Sequence, residues 1–266
     1  MAQHTVRAAA ALGLAGFRVE FKSYQAGIIS VLKRRYGPFL SGGRGGIRLA
    51  AVAAPGNENP FKPAVKNSGN TLEIRRGDFR LRLDLASGAG ALSAAPNEQC
   101  LDAFLRSLLS FLLIRSGGLM LHSAGLVKNG RAYLFLGKSG AGKSTLSKLA
   151  AGAGREVISD EINLLRPEKG RFMVYGSPFW GEMRADGRPG RWPLGGVFIL
   201  KKARANAVSP CGGAEALKLS LRCLLNFEKG PAVSGLVLGN AARLLAGAKF
   251  ARLEFSKSGA EFLELI

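Results

Sequence analysis

The sequence predicts a mixed α/β (α+β) protein in which a largely antiparallel sheet with flanking helices follows a β-rich N-terminal region. Three observations carry this. Residues 71–85 alternate apolar and polar side chains in two short runs, Thr71–Arg75 and Phe79–Leu85, the pattern of half-buried strands. Residues 98–115 place Leu101, Phe104, Leu105, Leu108, Leu109, Leu112 and Leu113 at helical spacing. Two apolar runs flanking Asn129-Gly130 then form a hairpin that delivers the chain into a glycine-rich loop. Domain boundaries are expected at 1–97 for the β-rich region and 98–266 for the larger domain.

Each element follows from local chemistry. Gly77-Asp78 separates the two alternating runs as a tight turn, and Ser41–Gly46 and Pro55–Pro60 have loop composition. Gly117-Gly118 ends the long helix. Asn129 and Gly130 tolerate the positive φ that a type I′ turn needs, so Leu119–Val127 and Ala132–Leu136 pair antiparallel. A helix is expected from Lys143 to about Gly152, closed by Gly152–Gly154. Val157–Ser159 reads as a strand ending at Asp160-Glu161, and Ile162–Arg166 with Arg171–Tyr175 as a hairpin. Leu194–Lys201 and Phe250–Phe255 read as strands, 214–227 and 232–247 as helices, and the C-terminus as a short helix.

Composition limits the functional classes. With 38 Lys plus Arg against 18 Asp plus Glu, the net charge is +20. Such a field attracts anions. The charges are nevertheless dispersed, with no run of five and no aromatic interleaving, so nucleic acid is not an expected partner. Cys100, Cys211 and Cys223 are too few and too far apart for a disulfide framework or a zinc site and fit reduced thiols in the cytoplasm. Ala8–Phe17 has the apolar character of a signal peptide, but the segment before it is short and no small-residue cleavage site is evident. The apolar stretch Leu101–Ile114 is too short for a membrane span.

One segment carries specific chemistry. Gly137-Lys138-Ser139-Gly140-Ala141-Gly142-Lys143-Ser144-Thr145 fits G-x-x-x-x-G-K-S/T in full and lies between a strand and a helix, the context a phosphate-binding loop requires. Glycines let backbone N–H groups converge on anionic oxygens, and the positive end of the following helix faces the same point. Lys143 supplies charge to the outer phosphates. The Ser144 hydroxyl suits Mg²⁺, with Thr145 the weaker candidate. Asp160 and Glu161 at the next strand end offer hard oxygens for Mg²⁺ and a carboxylate to accept a hydroxyl proton. Their side chains diverge unless the backbone turns there. His122 precedes the loop strand; taken alone, a strand histidine is more often structural. Tyr175–Glu182 forms a loop with aromatics and a carboxylate, followed by Arg184, Arg188 and Arg191. Each of these arginines is a candidate to offset transition-state charge, and each read singly is more often a surface residue.

These pieces, in this order, resemble the HPr kinase/phosphorylase family, whose catalytic domain is akin to the nucleotide-binding domain of phosphoenolpyruvate carboxykinase. From about Leu101 to Leu200 the chain also resembles HPr-kinase-like proteins encoded beside peptide-modification genes. The resemblance rests on Gly117–Ala124, Ile158–Glu161, Gly176–Glu182 and Pro193–Gly196. It implies that Gly137–Ser144 is the cradle for ATP, that Asp160 and Glu161 are the Mg²⁺ and base pair, and that His122 lies beside the transferred phosphoryl group. It implies a kinase acting on a serine hydroxyl of a protein or peptide, acidic by charge complementarity, and a homo-oligomer. Alternatives left open by the residues are a small-molecule kinase and a nucleotide sensor without significant catalysis. The chain departs from the family at Thr145, where a glutamate is usual, and at Glu161, where the second aspartate is usual. It also has no clear counterpart of the later loop serving the phosphorylase reaction, so reversal is not expected.

Overall fold

The strand signals of the first hundred residues resolve, in a computed structural model describing residues 8–56, 62–185 and 187–266, into one mixed sheet. The chain divides into two compact units, Met1–Phe111 with Asn226–Gly230, and Leu112–Leu225 with Pro231–Ile266. Two mixed sheets and five α-helices are present among the described residues, a mixed α/β fold.

In the first unit, β1 (Ala8–Leu14) and β2 (Phe17–Ser23) form a hairpin over Ala15-Gly16, both at positive φ. The apolar stretch at Ala8 is thus a strand with Ala10, Leu12 and Leu14 turned inward. Next come α1 (Ala26–Arg35), β3 (Ile47–Ala53), β4 (Ala64–Ser68), β5 (Thr71–Arg76), β6 (Phe79–Asp84) and β7 (Ala89–Ala94). The order is β1-β2-β3-β7-β6-β5-β4, with β3 parallel to both neighbours. The Gly77-Asp78 turn joins β5 to β6, with Arg76 opposite Phe79, and Arg76 clamps Asp78 through two hydrogen bonds of 2.7 and 2.6 Å. Helix α1 was not legible as such: its Ile28, Ile29 and Val31 are β-branched and fit the β-rich character expected of this region. The loop expected at Pro55–Pro60 lies largely outside the described residues.

Helix α2 (Glu98–Arg115) matches the predicted span. Phe104 packs edge-on against Phe21 and Phe79, with ring centroids 6.2 and 5.8 Å away.

The second unit is built on β8 (Leu119–Lys128) and β9 (Arg131–Leu136), joined by Asn129-Gly130 at φ 51° and 70°, the type I′ signature. Helix α3 (Lys143–Gly152) follows the glycine-rich loop. Strands β10 (Glu156–Ser159), β11 (Ile162–Glu168), β12 (Arg171–Tyr175), β13 (Arg191–Lys202) and β14 (Ala207–Pro210) lead to α4 (Gly213–Cys223), α5 (Pro231–Gly247) and β15 (Phe250–Phe255). Most pairings are antiparallel, but β9, β13 and β15 run parallel side by side. The carboxyl ends of all three point the same way, so Gly137, Lys202 and Ser256 emerge at one edge of the sheet. Ligands in α/β sheets characteristically bind at that edge.

The sheet is covered on both faces, which explains the continuous apolar run of β9. Leu134 and Leu136 face a cluster with Leu121, Val174 and Leu244, whereas Phe135 joins Leu146, Ala150, Phe198 and Phe255 on the other side. Three expectations need adjustment. The helix predicted to reach 227 stops at Cys223, because Leu225 N–H bonds Met120 O at 2.9 Å and the chain turns extended along β8. The 194–201 strand begins at Arg191, paired there with β12. The C-terminal helix is a 3₁₀ segment, Glu261–Leu265.

Buried Asn240 of α5 donates from Nδ2 to Ile114 O and Gly118 O at 2.7 and 3.0 Å, satisfying carbonyls at the end of α2. Asn240→Ala is therefore expected to lower unfolding free energy by about 1–3 kcal/mol, measured as a shift of the urea midpoint.

Candidate active site

The loop between β9 and α3 is shaped by its glycines. Gly140 and Gly142 have φ of 74° and 106°, a region that disfavours any side chain. A Cβ on Gly137 would lie 2.6 Å from that of Ala141, and one on Gly142 would press on the Phe255 ring. Helix α3 opens at Gly142 with no side-chain cap and no acidic residue in its first turn. Its N-terminal N–H groups and the positive end of its dipole thus face the loop with no cap from an acidic residue of the helix itself.

Lys143 is only 6% exposed. Its Nζ donates to Gly137 O at 3.0 Å and Lys138 O at 3.4 Å, folding the side chain back over the loop. Desolvation holds its pKa below the ordinary lysine value. A desolvated ammonium that, among the described residues, bonds only carbonyls, beside uncapped helix N–H groups, is an environment that an anion improves.

The acidic pair arises from an irregularity in pairing. Strands β10 and β11 run end to end along β8, with a register shift between Val157 and Ser159, and Asp160-Glu161 fill the gap between them. Ser159 Oγ accepts the N–H groups of Glu161 and Ile162 at 3.1 and 3.0 Å, while Ser123 N–H bonds Glu161 O at 2.9 Å. The backbone bends at both acidic residues. The strand alternation that would separate them is broken, and both line one cavity.

That cavity, of about 710 Å³, brings together most of the residues singled out from sequence: Ser139, Gly140, Gly142, Lys143, Ser144 and Thr145 of the loop, with His122, Asp160 and Glu161. His122 lies opposite Ile162 in the β8–β11 register, next to the acidic corner. Gly137, Lys138 and Ala141 line a second cavity on another side of the loop. Of the three arginines, only Arg184 lines the 710 Å³ cleft. Arg188 pairs with Glu156 at 2.5 Å and lies over Trp192, and Arg191 pairs with Glu168 at 2.9 Å.

The loop after β12 is tied to the acidic corner. Asp160 is buried, and its Oδ2 accepts Met183 N–H at 3.1 Å. A Cβ on Gly181 would come within 2.6 Å of Asp160 Cγ and Oδ2. Gly181→Ala is expected to push Trp180–Arg184 away from Asp160, costing about 1–3 kcal/mol and shifting Trp180 emission; thermal unfolding and fluorescence spectra check this.

Sequence reasoning missed four contributors. Lys202 and Lys257 reach the cleft from the carboxyl ends of β13 and β15; strands paired in space but separated in sequence give no local signal. Fully buried Asn163 donates from Nδ2 to Ser123 O and Oγ at 2.8 and 3.0 Å, fastening β11 to β8 beside His122. Gly125 makes room for it, since a Cβ there would collide with the Asn163 amide. Among the described residues no group of three or more His, Cys, Asp or Glu is placed to hold a metal, and no helix is long and apolar enough to cross a membrane.

Residues 105–223, less than half of the chain, match the family model described as SynChlorMet cassette protein ScmC. No curated protein matches. Among solved structures, the Hpr(Ser) kinase/phosphatase from Coxiella burnetii is similar at 12% identity and a TM-score of 0.26, covering 47% of this chain and 93% of that one.

Proposed function

We propose that this chain is an ATP- and Mg²⁺-dependent kinase that transfers the γ-phosphoryl group to a serine hydroxyl of a protein or peptide. The observation that supports this best is the meeting, in one cleft, of a glycine-shaped loop, a buried Lys143 and the Asp160–Glu161 carboxylates. The residues fit the phosphates: the loop offers uncapped N–H groups, and Lys143 offers a charge bonded to the carbonyls of Gly137 and Lys138. They also fit Mg²⁺, because Ser144 and the two carboxylates are hard oxygen donors and this ion takes few protein ligands. When bound, the metal would offset charge on the phosphate oxygens.

In this reading the loop orients the triphosphate, and Lys143 stabilises charge on its outer oxygens. One carboxylate of the pair accepts the acceptor's hydroxyl proton. The seryl oxygen then bonds to the γ-phosphorus as the bond to the β,γ-bridging oxygen breaks. In the same reading His122, which lines the cleft, donates a hydrogen bond to the transferred group. Around the carboxylate pair, Arg184, Lys202 and Lys257 outnumber Glu182 among the residues lining the cleft and favour an acidic acceptor. The KM for such an acceptor is expected to rise several-fold between low and physiological salt, with kcat little changed, in steady-state assays.

The test is intact-mass analysis of serine-containing peptides encoded beside this chain, incubated with enzyme, ATP and Mg²⁺. Gain of one phosphoryl mass, absent with Lys143→Ala, supports the reading. Transfer to a small metabolite and to no peptide would replace it with a small-molecule kinase. Bound nucleotide with no turnover would replace it with a sensor.

A further inference from the structure

The glycine-rich loop has a second cavity on its other side. This space of about 480 Å³ is lined by Gly137–Ala141, by Ile199 and Leu200 of β13, and by α4. The two cavities flank the loop in a defined sense. Strand β9 lies between β8, along which β10 and β11 pair on either side of the acidic corner, and β13, which contributes Ile199 and Leu200 to the second cavity.

Helix α4 gives this cavity a polarity. Arg222 lines, with Leu219, the small space beneath Gly137–Ser139, so the Arg222 end of the helix is the one nearest the loop. Glu215 is seven residues earlier on the same helix, about 10 Å away at 1.5 Å rise per residue. It faces Arg252, with Arg252 Nη2 to Glu215 Oε2 at 2.5 Å, while Oε1 has no partner among the described residues. Leu200 and Leu219 supply the apolar surface between. The order is therefore cation at the loop, apolar surface, then an anchored carboxylate with one open acceptor oxygen.

This sequence of environments complements a nucleotide leaving a phosphate cradle. Phosphates remain at the loop and Arg222, an aromatic base lies on the leucines, and an exocyclic amino group reaches a carboxylate. Resting on the kinase reading above, we infer that the second cavity is the nucleoside subsite, that it takes an amino-bearing purine, and that Glu215 accepts a hydrogen bond from the base. The triphosphate then lies across the loop with its nucleoside toward α4 and its terminal phosphate toward Asp160 and Glu161. An acidic peptide segment is the competing occupant, since Lys138, Lys201, Lys218 and Arg222 also line this space.

Calorimetric titration of the full chain with ATP, purine riboside 5′-triphosphate and inorganic tripolyphosphate tests the assignment. Wild type is expected to bind ATP about tenfold more tightly than purine riboside 5′-triphosphate, the range of one hydrogen bond to a charged group, and to bind tripolyphosphate more weakly still because it also lacks the base. Leu219→Asp should weaken ATP about tenfold and leave tripolyphosphate within twofold. Glu215→Ala, at a half-exposed side chain, should reduce the preference for ATP over the purine riboside to within twofold. Equal loss of ATP and tripolyphosphate, or no loss of either, in Leu219→Asp would overturn the subsite while leaving the phosphate cradle standing. So would a serine peptide rich in glutamate losing affinity while ATP keeps its own. Wild type binding neither ATP nor tripolyphosphate would remove the kinase reading and the subsite together.

Discussion

Lys143→Ala is expected to reduce phosphoryl transfer on the order of 10³-fold, the scale of removing a preorganised charge from a transferring group. The structure separates this loss from unfolding. Among the described residues Lys143 Nζ bonds only carbonyls of its own loop, while α3 is held by Leu146 and Ala150 in the core. Truncation gives up two hydrogen bonds and also removes a cation that burial disfavours, as its depressed pKa records. The two effects oppose each other, so unfolding free energy should change by no more than about 1 kcal/mol. Steady-state transfer and a urea melt on the same preparation check both halves. A fully active variant would show that the loop's lysine does not serve the reaction.

Asp160→Asn is expected to reduce transfer by about 10²–10⁴-fold, whether the carboxylate serves as base or as metal ligand. The substitution is close to isosteric. Asparagine keeps an oxygen for Met183 N–H and the same contact with Gly181. Loss of activity with an unchanged melting temperature would therefore report the charge rather than the shape. Asp160 is the more constrained member of the pair, since it is buried and bonded to the loop after β12. Comparison with Glu161→Gln by kcat and by Mg²⁺ dependence would divide the two roles: a base variant loses kcat at saturating metal, whereas a ligand variant shifts the metal requirement.

Features encoded in adjacent residues were legible in the sequence. Asn129-Gly130 specified its turn through positive φ, and the Leu101–Leu113 spacing specified α2. Glycines at Gly140 and Gly142 signalled backbone that only glycine adopts readily. Features encoded by pairing across the sheet were not. Nothing near Lys202 or Lys257 marks them as neighbours of Gly142, because β13 meets β9, and β15 meets β13, only after folding. The convergence of Asp160 and Glu161 depends on a register shift and on Ser159 Oγ, which no alternation pattern displays. Helix α1 was concealed by its β-branched residues, whose preference tertiary packing overrides.

The most direct test of the central claim, that Gly137–Ser144 cradles the phosphates of the donor, is one calorimetric titration of Mg²⁺·ATP into wild type and Lys143→Ala, because it needs no knowledge of the acceptor. The account predicts one saturable site per chain in wild type and about 10–100-fold weaker binding in the variant, the scale of losing a charge-assisted contact. Equal affinity in the two proteins, or no binding by wild type, would contradict it.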